Sequence, residues 1–448
     1  MKNPLLALSS FDPKLRLQAL QELASSSNFP ASSEAMNMHL HTFFSYSGEN
    51  WSPSQVAYEM KKLGLYSAAI CDFDVLEGLE EFLYACDLLS LRSAVAFESR
   101  VFFPEFADLE INSPGEPGVF YFMGMGFVKT PAAGTLAGKV FSEMLQQSHQ
   151  RNRDLIDRIS KHLTDLPFDY DNDVLPLTPA GNATERHIIQ AYHDKALKHF
   201  GSEENALRFW AKVINEEYAT LQKLLSDSNA FQEMLRSKLI KRGGIGYVQP
   251  TEKTFPNIDT VIDAILECDA IPMAAWLDGG LPGEQNPEKL LECLYSKRVD
   301  AVNVIPDRNW NFKDETVKKE KISELEKFLT IADKMELPVN IGTEGNKPGQ
   351  RRVDDFEAEI MKKYQPLFLK GAQIICGHTL LLRYLDMSYC GTMAEDFAPK
   401  RKERNDFFAS VGALPAPNQK TRDHLEELDK ETGLAFFADC AKAEKWLY

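Results

Sequence analysis

Apolar and polar positions change rhythm several times along the chain. Residues 12–24 set Leu15, Leu17, Leu20 and Leu23 behind an Asp12-Pro13 start, which predicts a short amphipathic helix capped by Asp12, a lid or brace. The stretch ASSSNFPASSE that follows reads as a linker. From residue 36, compact β-like runs alternate with segments of helical period, the pattern of a parallel α/β architecture rather than a sandwich. The runs cover 36–41, 67–72, 94–103, 119–127, 271–277, 301–306, 338–342 and 373–376. In barrels the loops after the strands gather at one face and carry the chemistry. The predicted strand ends bring together His39 and His41, Asp72 and Asp74, Glu98, Trp276 with Asp278, Asp307 with Arg308, Glu344 with Asn346, and His378.

Between about 135 and 245 this rhythm stops, and polar helical stretches such as HQRNRDLIDRISKHL take over. The division expected is therefore a helical extension and linker over 1–35, a barrel over 36–134 and 246–394, a helical insertion over 135–245, and a charged helical segment over 395–448. The last, with KRKER and DHLEELDKE, reads as a solvated appendage.

A chain of 448 residues is long enough for such a barrel with an insertion. A net charge of −16 argues against a polyanion-binding surface, so no nucleic-acid partner is expected. The seven cysteines form no Cys-x-x-Cys pair, which points to reduced thiols in a reducing compartment. The apolar start at Pro4–Leu8 is broken by Phe11-Asp12-Pro13-Lys14, too early for a signal peptide or membrane span. A cytoplasmic protein with no membrane partner is expected; its oligomeric state is open.

The strongest local signal is Met38-His39-Leu40-His41-Thr42. Two histidines two apart on a strand face the same way, so both imidazoles can reach one divalent ion. Spacing alone equally allows a pair of hydrogen-bonded structural histidines.

At these residues the chain resembles the PHP (polymerase and histidinol phosphatase) family, in its small phosphoesterase branch, loosely over residues 36–380. His39-Leu40-His41-Thr42 resembles the family's opening motif, followed by Trp51-Ser52-Pro53 entering a helix. Cys71-Asp72-Phe73-Asp74, then Gly78, matches the frame of a Thr-Asp-His-Asp motif, and Phe97-Glu98-Ser99 fits the strand that supplies a bridging glutamate. The resemblance implies a distorted (β/α)7-type barrel in which divalent ions activate water against a phosphate ester.

Several of the family's ligands are replaced. Phe44-Ser45-Tyr46-Ser47-Gly48 lacks the expected aspartate, Ala275-Trp276-Leu277 stands for Ala-His-Pro, and Gly342-Thr343-Glu344-Gly345-Asn346 for Gly-Ser-Asp-x-His. Neither Phe73 nor Trp276 can bind a metal, so fewer ions are expected than in the family's full site. His39, His41, Glu98 and, less firmly, Glu344 would hold one zinc, manganese or iron. Arg151 and Arg153 resemble the family's Arg-rich helix, and Thr184-Glu185-Arg186-His187-Ile188 an Arg-Pro-His-Ile segment whose histidine faces the metals. Each also has a plainer reading, as a solvated helix face or a turn and cap residue.

The function expected is hydrolysis of a small phosphorylated metabolite. His187, Arg186 and Arg308 would sit near the phosphate, and Asp72 or Asp74 would orient a ligand or take a proton from water. Arg151, Arg153, Asp278, Asp307, Asn346 and His378 would line the pocket, with Trp276 stacking on a sugar or base at its mouth. Two alternatives stand beside it: a catalytically degenerate barrel that binds a small molecule or sugar, and a hydrolase of carbon–nitrogen bonds.

Overall fold

The computed structural model describes residues 3–447. Strands β1 (Met36–Leu40), β2 (Ser67–Phe73), β3 (Arg92–Phe102), β4 (Val119–Met125), β5 (Ile271–Trp276), β6 (Ala301–Val304) and β7 (Val339–Ile341) form one sheet in chain order. The sheet curls until its edges meet: Leu40 bridges Glu344, the His41 amide donates to the Glu344 carbonyl at 2.7 Å, and the Glu344 amide donates to His39 at 2.9 Å. The fold is a distorted (β/α)7-type barrel. Its strands read as near-continuous apolar runs because helices cover the outer face while side chains fill the inside; every residue of β1 and β5 is buried.

Two expectations about these strands are corrected. β4 runs antiparallel to both β3 and β5, whereas the other neighbours are parallel. The β3–β4 link holds only a short turn of helix, Pro104–Phe106, with no crossover helix to carry the chain back to a parallel start. Residues 373–376 are not a strand; they lie in the 27-residue helix Glu359–Leu385, buried on nearly every side from Ile374 to Leu382. A helix enclosed all round shows no amphipathic period, so its apolar run imitates a strand. Gly371 lets this helix lie directly on β7, since a Cβ there would run into the Val339 backbone.

The Pro13–Ser26 helix begins as expected, with Asp12 accepting from the Lys14 amide and Pro13 in the first turn. Leu20 and Leu23 reach the barrel core while Leu15 and Leu17 stay exposed. Residues 155–240 build a second hydrophobic core around Tyr192 and Trp210. One helix, Leu136–Ser160, belongs to both: Ala137, Val140 and Met144 pack on the barrel, and Leu155, Ile156 and Ile159 on the insertion. The tail is not a solvated appendage. Phe408, Val411, Phe437 and Cys440 are buried in the barrel's core cluster, so its charged runs mark only the outer faces of packed helices.

Candidate metal centre

β1 and β3 place three ligating side chains together inside the barrel. Glu98 Oε2 lies 3.7 Å from His39 Nε2 and 3.5 Å from His41 Nε2. One donor atom from each of the three lies within 4.8 Å of the others, and all three residues are buried. His39 Nε2, His41 Nε2 and Glu98 Oε2 have no hydrogen-bond partner among the described residues. Buried polar atoms are rarely left so, because each forfeits its hydration. Two imidazole nitrogens and a carboxylate oxygen that converge unpaired are the donor set that suits a divalent zinc, manganese or iron ion.

The orientation of His41 follows from its neighbours. Ser45 Oγ donates its only proton to Asp72 Oδ1 at 2.7 Å, so it must accept from His41 Nδ1, 3.1 Å away. That assignment leaves the lone pair on Nε2, facing Glu98. Asp72 also accepts from the Thr42 amide and hydroxyl, both at 2.7 Å. Its carboxylate thus braces the loop after β1 and sets the histidine through Ser45. Phe73 lies against the His41 ring, centroids 4.8 Å apart. Burial pushes the Cys71 thiol, beside His39, up to about 11, so it stays protonated.

The centre opens into a cavity of about 1220 Å³ that Glu98, Phe73 and Asp74 line. Asp74 takes the left-handed backbone, φ 60°, and accepts from Ser99 Oγ at 2.5 Å. Burial pushes its carboxyl up, with Arg151 and Arg100 opposing. Arg151 lines the cavity over the Phe255 ring and donates to the Thr254 carbonyl. Arg186 pairs with Glu233 at 2.8 Å, and Asp278 with Lys321 at 2.7 Å. Arg308 and Asn346 also reach the cavity. Glu344 lies on its wall, but outside the ligating triad; Arg308 Nη2 holds its oxygens at 3.3 and 3.4 Å.

Other expected site residues are placed elsewhere. Trp276 is 1% exposed and stacks on Phe328 of the outer helix layer, because strand alternation turns it away from the barrel interior. His378 is fixed inside its helix: Nε2 donates to the Gly126 carbonyl at 3.1 Å, and Nδ1 accepts from the Tyr389 amide at 3.0 Å. Arg153 points to solvent and pairs with Asp171. Asp307 sits beside Arg351, 3.7 Å away. His187 caps its own helix, with Nδ1 accepting from the Thr184 amide at 3.1 Å, and packs edge-on against Tyr46.

Sequence reasoning overlooked Ser45 as a partner of His41, as well as Tyr46, Arg100, Glu284 and Lys347 on the cavity wall. Arg100 was within reach, two residues beyond Glu98 on one face of β3. Glu284 is 1% exposed and accepts from the Leu277, Asp278 and Gly279 amides at 2.8, 3.2 and 3.0 Å, which fixes the loop after β5. No spacing rule joins residues so placed.

The sequence matches no family model and no curated protein. Two solved structures are similar in outline. One, from Bifidobacterium adolescentis, is provisionally named a metal-dependent phosphoesterase; it shares 18% identity, with 76% of this chain and 98% of that one covered, at a TM-score of 0.46. The other is an amidohydrolase from Chromobacterium violaceum with bound sulfate and no metal, at 13% identity, 74% and 96% coverage, and a TM-score of 0.47. Among the described residues, no helix is long and apolar enough to cross a membrane.

Proposed function

We propose that this chain is a metal-dependent hydrolase of a small phosphate ester, with His39, His41 and Glu98 as the ligands. The observation that carries the reading is the convergence of three buried, unpartnered donor atoms at the wall of a cavity edged with arginines. A divalent ion held there acidifies water and neutralises charge on the phosphoryl oxygens. Asp72, through Ser45, keeps the His41 lone pair aimed at the centre. Asp74, whose carboxyl burial raises above its ordinary value, lines the cavity beside Glu98 and is the proton donor in this reading. In the reaction a water oxygen bonds to phosphorus, the bond from phosphorus to the ester oxygen breaks, and the departing oxygen takes the Asp74 proton; the water's proton restores Asp74.

The test is metal content by mass spectrometry on protein purified without a histidine tag or chelator. Zinc, manganese or iron at one equivalent or more, lost in the H39A/H41A double variant with the fold retained, supports the centre. Stoichiometric metal retained in that variant overturns it. A screen of phosphate esters against amides on loaded protein then decides which bond is cut.

A further inference from the structure

We propose that Arg308 and Lys347 form an anion-recognising arm beside the centre, built for a phosphoryl dianion, and that Arg308 supplies the positive charge a second ion would otherwise bring. This rests on the hydrolase reading above and deepens it.

The backbone of Glu344 is locked to β1 between His39 and His41 by two hydrogen bonds, so its carboxylate stands beside the triad. Arg308 holds that carboxylate through Nη2 alone. A guanidinium carries five N–H donors. Those on Nε and Nη1 have no hydrogen-bond partner among the described residues, and the side chain lines the same cavity as Glu98. Lys347 lines it too. Among the described residues no carboxylate lies within 4.0 Å of its ammonium, and its hydrogen bonds, both with Gln350, are made by its backbone amide and carbonyl.

Two other cations press on this lysine. Burial, then Arg308 and Arg186, hold the Lys347 ammonium below its usual range, with Glu344 and Glu233 opposing. Arg186 is already paired with Glu233, whereas Lys347 is left as a half-buried charge that an arriving anion would relieve. The described residues offer no second cluster of three ligating side chains. Phe73 and Trp276 carry no donor for a metal; the first stacks on His41 and the second on Phe328 in the outer core. Positive charge beside Glu98 therefore comes from side chains, and a fork of N–H donors matches the oxygens of a phosphoryl group.

The experiment titrates inorganic phosphate into metal-free and metal-loaded protein by calorimetry, with metal per chain counted by mass spectrometry, for wild type, K347Q, R308Q and R308K. The expected result is one ion per chain throughout, with phosphate affinity lowered roughly tenfold to a hundredfold in K347Q and R308Q and partly kept in R308K. Unchanged phosphate affinity in both glutamine variants, or two ions per wild-type chain, overturns the inference. The Lys347 ammonium makes no hydrogen bond and no ion pair within 4.0 Å among the described residues, so K347Q decides even if R308Q fails to fold. Protein that takes up no metal overturns the hydrolase reading instead, and the dependence on Lys347 in metal-free protein still decides the anion arm.

Discussion

The indole of Trp276 lies flat against Phe328, with ring centroids 4.4 Å apart and planes 13° from parallel. This contact fastens β5 to the Glu315–Lys334 helix and takes the tryptophan out of the site. Trp276→Ala is expected to cost about 3–5 kcal/mol in chemical denaturation, as large aromatic truncations in cores do. Metal content per folded chain should be unchanged; a loss of metal without a loss of stability would put the indole back at the centre.

Asp74→Asn removes the proposed proton donor and leaves the candidate ligands His39, His41 and Glu98 in place. The turnover number is expected to fall by roughly a hundredfold or more, with bound metal retained. Burial raises the Asp74 carboxyl, so wild-type turnover should decline on the basic side as Asp74 gives up its proton. That limb should vanish in the variant. An unchanged pH profile would remove Asp74 from the reaction.

The strands were legible because barrel strands are covered on both sides and so appear as short apolar runs bounded by turns. His39, His41 and Glu98 were legible for a related reason, since period two decides which side chains share a face. The direction of β4 was not, because an apolar run carries no arrow. The 373–376 run was misread because enclosure of its helix erased the polar stripe that distinguishes helix from strand. Trp276 was misassigned by attending to the strand's end and not to its phase. Ser45, Glu284 and Lys347 sit on loops whose course is set by hydrogen bonds across the barrel mouth, and nothing local in the sequence records those.

Asp354 gives a pH dependence of one sign. It is 1% exposed with neither carboxylate oxygen hydrogen-bonded, and burial, with Asp307 adding to it, pushes its carboxyl up to about 7. The folded state therefore holds this proton more tightly than the unfolded chain, whose value lies near 4. Its contribution is fully present below about pH 4 and is lost as pH rises through about 7, on the order of 4 kcal/mol. Asp354→Asn should melt higher than wild type at pH 8, with the gap closing toward pH 4. Parallel melting curves across that range would count against the assignment.

His378 gives the opposite sign. Burial pulls its imidazole down to about 4, below the ordinary value near 6.5. The stability it contributes as a neutral ring is present above about pH 6.5 and lost as pH falls through about 4, on the order of 3 kcal/mol. His378→Gln should lower the melting temperature at pH 7, where bonds to Gly126 and Tyr389 are made imperfectly, yet flatten the decline between pH 6.5 and 4. His187, also drawn down to about 4 by burial, keeps its own share of that decline.

The Leu136–Ser160 helix is rooted at one end in the barrel and at the other in the insertion, and Arg151 on its inner side looks into the cavity between. An uninterrupted rod of this kind works as a gauge. Each residue added to or removed from its middle would move the insertion by about 1.5 Å and turn it by about 100° relative to the barrel. The width of the cavity and the facing of its wall are thus set together, in discrete steps. A change in the size of ligand accepted is then easier to reach by replacing side chains along the wall than by changing the helix's length.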